Sequence, residues 1–285
     1  MKKKLLCMLV AAVCLLPMVS VAAQSVEEFV FEDLRHLAPE GTFLAPGEAP
    51  IADMDSYKSE NISVTITRRR VDDADVTIAD IYVSSVRHLR RAFSNGTWKG
   101  KAERVRDMAL SANAVIAISG DYASMLDAGL VVGNGEVYRQ SNNNKRDNCL
   151  IYPDGRMVTY ARKTLDAKEA LQQPVWHSFL FGPMLLDENG QPFDKFDSKV
   201  GVANPRSVIG YYSPGHYCFV LVDGRSNASK GLAMVPLSRL MAELGCQAAY
   251  NLDGGQSAMM YFRGAIITDP YKGGRSITDV VYIGE

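Results

Sequence analysis

Residues 206–251 leave this chain little freedom in how it folds. Two apolar, strand-like segments, 206–212 and 217–222, flank Ser213-Pro-Gly-His216, a hairpin turn. Leu237, Leu240, Met241 and Leu244 then recur at helical spacing, with Pro236 at the entry and Gly245 at the exit, and residues 248–250 resume as a strand. A strand, helix, strand connection within one sheet is nearly always right-handed and parallel. The strands ending at Val222 and Tyr250 should therefore deliver Asp223 and Asp253 to one edge. Arg206, which opens the antiparallel strand, should land on that edge too.

A second unit is expected upstream. Ile62, Val64 and Ile66 alternate with Ser63 and Thr65, and the Asp72-Asp73 turn leads into residues 76–83, an antiparallel pair. Ala102, Val105, Ala109 and Ala112 predict a helix over 101–112, and residues 114–118 a buried strand that stops before Ser119-Gly-Asp-Tyr122. Residues 130–138 around Gly133-Asn-Gly135, residues 148–152, and residues 157–160 after Pro153-Asp-Gly155 read as hairpins. The expected class is α/β, or α+β: a mixed twisted sheet with βαβ units and flanking helices, plus hairpins walling a surface cavity. Ligands of open α/β sheets bind beyond the carboxyl ends of the strands. Asp121, Asp223 and Asp253 each sit just past such an end, which makes them the candidate catalytic acids.

The 285 residues, 47% of them apolar, suffice for one large domain or two small ones. Lys and Arg number 31 against 32 Asp and Glu, whereas non-specific nucleic-acid binding needs a basic excess. The expected partner is a small molecule or glycan, with no nucleic acid. Lys2, Lys3 and Lys4, an apolar run over 5–19, and the small residues Ser20, Ala22 and Ala23 read as a signal peptide, residues 1–23. Export to the cell envelope or medium follows, with no membrane span in the mature chain. Residues 24–57, with Pro39, Pro46 and Pro50, read as a linker or N-terminal extension holding at most one short helix around 26–37, and residues 58–285 as the functional domain. Cys7 and Cys14 fall in the leader; Cys149, Cys218 and Cys246 match no zinc spacing and read as buried thiols.

The chemistry concentrates at the strand exits. In Asn251-Leu-Asp-Gly-Gly-Gln-Ser257, Gly254 and Gly255 let backbone N–H groups approach a ligand oxygen, beside the amide of Asn251 and the hydroxyl of Ser257; the bland alternative is a tight turn capped by Asp253. Asp223-Gly-Arg225 repeats the pattern, and Arg225 and Arg206 offer planar forks suited to phosphate, or else a structural ion pair. At the third exit Gly120 precedes Asp121, and Tyr122 can stack on a sugar ring. His36, His88, His177 and His216 have no ligand-type spacing, so a His-bound zinc hydrolase is not expected. Serine-hydrolase and dinucleotide signatures are absent as well. Mg²⁺ or Ca²⁺ held by Asp121, Asp223 and Asp253 would make a metal-dependent phosphodiesterase, and a non-catalytic glycan-binding envelope module is a further alternative.

Together, Asn204-Pro-Arg206, Asp223-Gly-Arg225, Ser229-Lys-Gly231, Asn251-Leu-Asp-Gly-Gly255 with Ser257, and Gly273-Gly-Arg275 with Asp279 resemble the bacterial phosphodiester glycosidase family, related to the mannose 6-phosphate uncovering enzyme. The similarity runs from about residue 82 to 283. It implies hydrolysis of a sugar-1-phosphodiester of N-acetylglucosamine-phosphate type. It also implies that Asp121, Arg206, Asp223, Arg225, Asn251, Asp253 and Ser257 surround the cavity. The chain departs from the family pattern at Ser119, where Asn is usual, and at Gln256, where a third glycine is usual.

Overall fold

The computed structural model describes residues 29–143, 145–197 and 201–285. The expected signal peptide, 1–23, lies outside the described residues. The first half holds strands β1 (Ile51–Ala52), β2 (Ser56–Lys58), β3 (Ile62–Val71), β4 (Ala74–Val83) and β5 (Leu89–Phe93), helix α1 (Val105–Ser111), and β6 (Ile116–Ser119). Next come β7 (Val131–Gly133), β8 (Glu136–Arg139), β9 (Asn148–Ile151), β10 (Met157–Tyr160), the short helix α2 (Ala167–Ala170) and β11 (His177–Phe179). The chain closes with β12 (Arg206–Ser213), β13 (His216–Val222), α3 (Met234–Glu243), β14 (Ala248–Asn251), β15 (Met260–Phe262), β16 (Ala265–Ile266) and β17 (Asp279–Ile283).

Two sheets dominate, ordered β1-β2-β3-β4-β13-β12-β14 and β16-β15-β6-β17-β5. They pack face to face: Ile81, Phe219 and Leu221 of the first share a buried cluster with Ile118, Met260 and Val281 of the second. The outer face of the first sheet is covered by α3, whose Met234, Leu237, Leu240 and Met241 meet Val208, Val220 and Val222. The outer face of the second is covered by α1, through Val105, Met108 and Ala109 against Ala117, Val280 and Tyr282. The result is four layers, helix, sheet, sheet, helix. β13 is an interior strand with both faces buried, which is why its sequence is an unbroken apolar run. The hairpins β7-β8 and β9-β10 form, with β11 pairing on β9.

The coarse class stands, but the connection pattern needs correction. Every ladder among the described residues is antiparallel, so the sheets are not mixed. α3 does join two strands of like direction, β13 and β14, yet β12 lies between them and bonds to both. In the same way α1 joins β5 to β6 across β17. An adjacent βαβ pair is precluded because the antiparallel partner already fills the middle position. The shared edge survives the correction, since Arg206 pairs with Val222 and Val208 with Asn251.

Two local differences have clear causes. The first helix starts at Val105 instead of 101, because Glu103 is held extended by two backbone bonds to Ile277. β5 is unexpected from sequence because Arg90 and Arg91 interrupt its apolar pattern, although Leu89, Arg91 and Phe93 form its buried face. The described part of segment 24–57 packs on the domain. Phe29 and Leu34 are buried, and the Phe29 and Phe31 rings meet Trp176 edge-on at 5.7 and 4.9 Å. Among the described residues no helix is long and apolar enough to cross a membrane.

Candidate active site

The edges of the two large sheets are stitched together where β6 and β14 end. The Asp253 amide donates to the Gly120 carbonyl at 2.9 Å, the Ser119 hydroxyl donates to the Asp253 carbonyl at 2.9 Å, and the Ser207 hydroxyl donates to the Ser119 carbonyl at 3.1 Å. Ser119, one of the two departures from the family pattern, is thus part of the seam. At the seam the Asp253 carboxylate accepts from Arg275 Nη2 at 2.9 Å, and Arg275 Nε donates to Ser257 Oγ at 2.6 Å. The Arg275 guanidinium lies 5.5 Å above the Tyr122 ring. Burial raises the Asp253 pKa above its ordinary value, against the lowering effect of Ser257 and Arg275. Gln256, the second departure, donates to the Gly274 carbonyl and so braces the loop carrying Arg275.

Asp253 and Arg275 open onto a cleft of about 710 Å³, also lined by Tyr122, Lys145, Arg146, Asp147, Arg162, Phe181, Gly182, Pro183 and Asp197. Asp147 is a structural member, because its carboxylate accepts from the Met184 and Arg162 amides. Asn251 plays a similar part: its Nδ2 donates to the Gly182 carbonyl at 2.8 Å and the residue is buried, so it braces the cleft wall from behind. Ser257 is fully buried too, against both Arg275 and Asp253.

Asp121 does not face this cleft. Its carboxylate is fully buried and accepts from the Leu180 and Phe181 amides at 2.7 to 2.9 Å. Beside it Arg91 bonds Asp279 at 2.7 Å and lies 3.8 Å from Asp121, while Asp279 accepts from the Asp121 and Tyr122 amides. Gly120 is required by this packing, since a Cβ there would sit 2.2 Å from Asp279 Oδ2. The cluster joins the Tyr122 turn to the Leu180–Phe181 wall, and Asp121, expected as a catalytic acid, lies buried within it and not among the residues lining the cleft. Asp279 and Arg91 enter as positioning residues, the latter unforeseen because its partners are distant in sequence.

Burial, reinforced by Asp279, pushes the Asp121 pKa from 3.8 to about 7, against Arg91 and the two amides. A raised folded-state pKa means that the unfolded chain ionises first as pH rises. The contribution of Asp121 to stability should therefore fall between about pH 4 and pH 7 and level off above. In Asp121→Asn this component is removed. Thermal melts should show the variant gaining on the parent across that window, apart from any constant offset; a flat difference would mean that Asp121 titrates normally.

Asp223 lies at the expected edge but opens in another direction. It accepts from the Asp269 amide and lines a separate cavity of about 510 Å³ with Arg68, Arg69, Arg70, Asp75 and Thr268. Its pKa is raised, by burial first and then by Asp269 and Asp75, with the Asp269 amide opposing. Arg206 donates from Nε to the Leu232 carbonyl, and burial together with Arg225 lowers its pKa to about 10. Arg225 donates to Asn204 Oδ1 and lies 5.4 Å over the Tyr271 ring. It also flanks Gly255, whose φ of +61° suits glycine and where a Cβ would come within 3.1 Å of the guanidinium. Gly254 packs tightly on the Pro205 carbonyl. Both arginines therefore flank the Gly254-Gly255 turn, and neither lines the cleft. Among the described residues no three His, Cys, Asp or Glu side chains come together as a metal-binding group, and the three strand-end aspartates lie in different surroundings.

Sequence reasoning missed the cations of the cleft. Lys145 and Arg146 lie in the polar stretch 141–146, which reads as an ordinary solvated loop; Arg162 lies just past β10. Arg275 was visible only through the family motif. A family model described as phosphodiester glycosidase matches residues 112–284. The SPbeta prophage-derived uncharacterized protein YomE of Bacillus subtilis (strain 168) is 29% identical over 189 residues, 64% of this chain and 29% of that protein. The chain therefore spans under a third of that curated relative's length. The zebrafish N-acetylglucosamine-1-phosphodiester alpha-N-acetylglucosaminidase catalytic domain, auto-inhibited by its pro-peptide, superposes with a TM-score of 0.64 at 18% identity, covering 79% of this chain and 83% of that one. A hypothetical protein from Synechocystis gives 0.60 at 12% identity, over 79% and 62% of the two chains. At these identities the structural likeness is one of fold. The matched family span takes in β6 through β17, including Tyr122, Asp253 and Arg275 of the cleft, and on that ground the chain belongs to the phosphodiester glycosidase family.

Proposed function

We propose that the chain is an exported hydrolase that cleaves a sugar-1-phosphodiester, of N-acetylglucosamine-phosphate type, in envelope or host glycans. The observation that carries this reading is Asp253: a buried carboxylate, oriented by Arg275 and Ser257, at the floor of a cleft lined with cations. Lys145, Arg146, Arg162 and Arg275 face Asp147, Asp197 and Asp253 there, four positive groups against three negative, a balance suited to a phosphodiester of single charge. Family membership and the likeness of fold to the zebrafish glycosidase domain support the same reaction class.

In this reading the bond from the anomeric carbon to the phosphate oxygen breaks, and its electron pair leaves with the phosphate monoester. That leaving group departs without a proton, so the cations supply what it needs. Tyr122 and Phe181 provide aromatic surface for the sugar ring. Asp253 acts on the anomeric carbon, as nucleophile or as base for water. Retained configuration in the released sugar marks the first role and inversion the second.

The test is incubation of the purified chain with a synthetic N-acetylglucosamine-1-phosphodiester, measuring free sugar and phosphomonoester, with and without a chelator. Release of both products in the presence of chelator is expected. Activity lost to chelator and restored by Mg²⁺ would favour the metal-dependent phosphodiesterase, and binding without release a glycan-binding module. Arg275→Lys should lower kcat about 10- to 100-fold, the value of one or two charge-assisted bonds, with the folded structure retained by circular dichroism. Parental kinetics in that variant would remove the Arg275 fork from the mechanism.

A further inference from the structure

Cys218, on β13, and Cys246, in the corner between α3 and β14, are both fully or nearly fully buried, with their sulfurs 3.7 Å apart. They belong to elements separated in the sheet by β12, and they meet because Gly210, which pairs with Cys218, has no side chain. A Cβ on Gly210 would lie 2.6 Å from Cys218 Sγ, 2.9 Å from Cys246 Sγ and 2.7 Å from Met241 Cε. The two thiols fill the space that the glycine leaves, against the apolar face of α3.

We propose that Cys218 and Cys246 are a cross-linking site, joined as a disulfide when the chain folds in the presence of a small-molecule or protein disulfide. An S–S bond of about 2.05 Å requires the sulfurs to close the remaining gap by side-chain rotation. In the reaction each thiol gives up a proton and one electron. The external disulfide takes both electrons and leaves as two thiols, through a mixed disulfide on one of the cysteines. Exchange needs a thiolate, which burial disfavours, so the bond forms as the chain folds and is then shielded in the native state. The cysteines are 28 positions apart, so the link constrains the unfolded chain over the span that includes α3. Cys149, buried elsewhere among Ile151 and Phe179, remains a single thiol.

The experiment is refolding of the reduced, denatured chain in oxidised and reduced glutathione, followed by alkylation under denaturing conditions and peptide mapping. A Cys218–Cys246 linked peptide is expected, with Cys149 alkylated. The oxidised protein should melt several degrees above the same protein refolded with dithiothreitol. Cys246→Ala, and independently Cys218→Ala, should abolish the linked peptide and the redox dependence of the melt. Full alkylation of both cysteines after oxidative refolding, or linkage of either to Cys149 instead, would overturn the proposal.

Discussion

Replacing Arg91 with methionine is expected to lower folding stability by about 3–5 kcal/mol, as for the breaking of a buried ion pair. Neither its side chain nor that of Asp121 has solvent exposure, and Asp279 has almost none. Arg91 meets Asp279 through Nε and Nη2, donates from Nη1 to the Ser178 carbonyl, and lies near Asp121. Methionine has comparable reach but leaves two carboxyl groups in the interior with no cation. Those groups then ionise only at a large desolvation cost. Restoring the charge balance by adding Asp279→Asn should recover part of the loss, so the double variant should be less destabilised than the sum of the singles. Denaturant unfolding of the four proteins measures this. A single variant within about 0.5 kcal/mol of the parent, the range of ordinary surface changes, would contradict the ionic brace.

Asp253→Asn should reduce sugar release by about 10²–10⁴-fold, the span attributed to a positioned acid or base. The amide keeps the shape and can still accept from Arg275, so the fold should persist and substrate affinity should change little. Because the Asp253 pKa is raised by burial, activity in the parent should fall as the carboxylate is protonated on the acid side. That acid limb should sit above the range of an ordinary aspartate. A variant with the parent's rate would take Asp253 out of the chemistry, and a variant that loses binding equally would make it a substrate anchor.

The edge that carries these groups was legible in the sequence, and the faces they present were not. Apolar runs ending at Ile118, Val222 and Tyr250 locate the strand exits, and antiparallel pairing places Arg206 beside Val222. What sequence periodicity along one strand does not contain is the second sheet. Asp121 and Asp279 come from one sheet edge and Asp253 from the other, and only their packing decides that Asp253 opens outward while Asp121 turns toward the Leu180 and Phe181 amides. Asp223 sits on the expected edge, yet Asp269 and the arginines of β3 enclose it in a different cavity. Lys145 and Arg162 gain their significance only when the β9-β10 hairpin is folded beside Asp253.

Two cavities are thus candidate seats for the proposed substrate, one around Asp253 and Arg275 and one around Asp223 and Arg69. A crystal structure of Asp253→Asn with an intact sugar-1-phosphodiester decides between them. The phosphate is expected among Lys145, Arg146, Arg162 and Arg275, with the anomeric carbon against residue 253. A sugar phosphodiester seated instead beside Asp223, with the larger cleft empty, would contradict that placement.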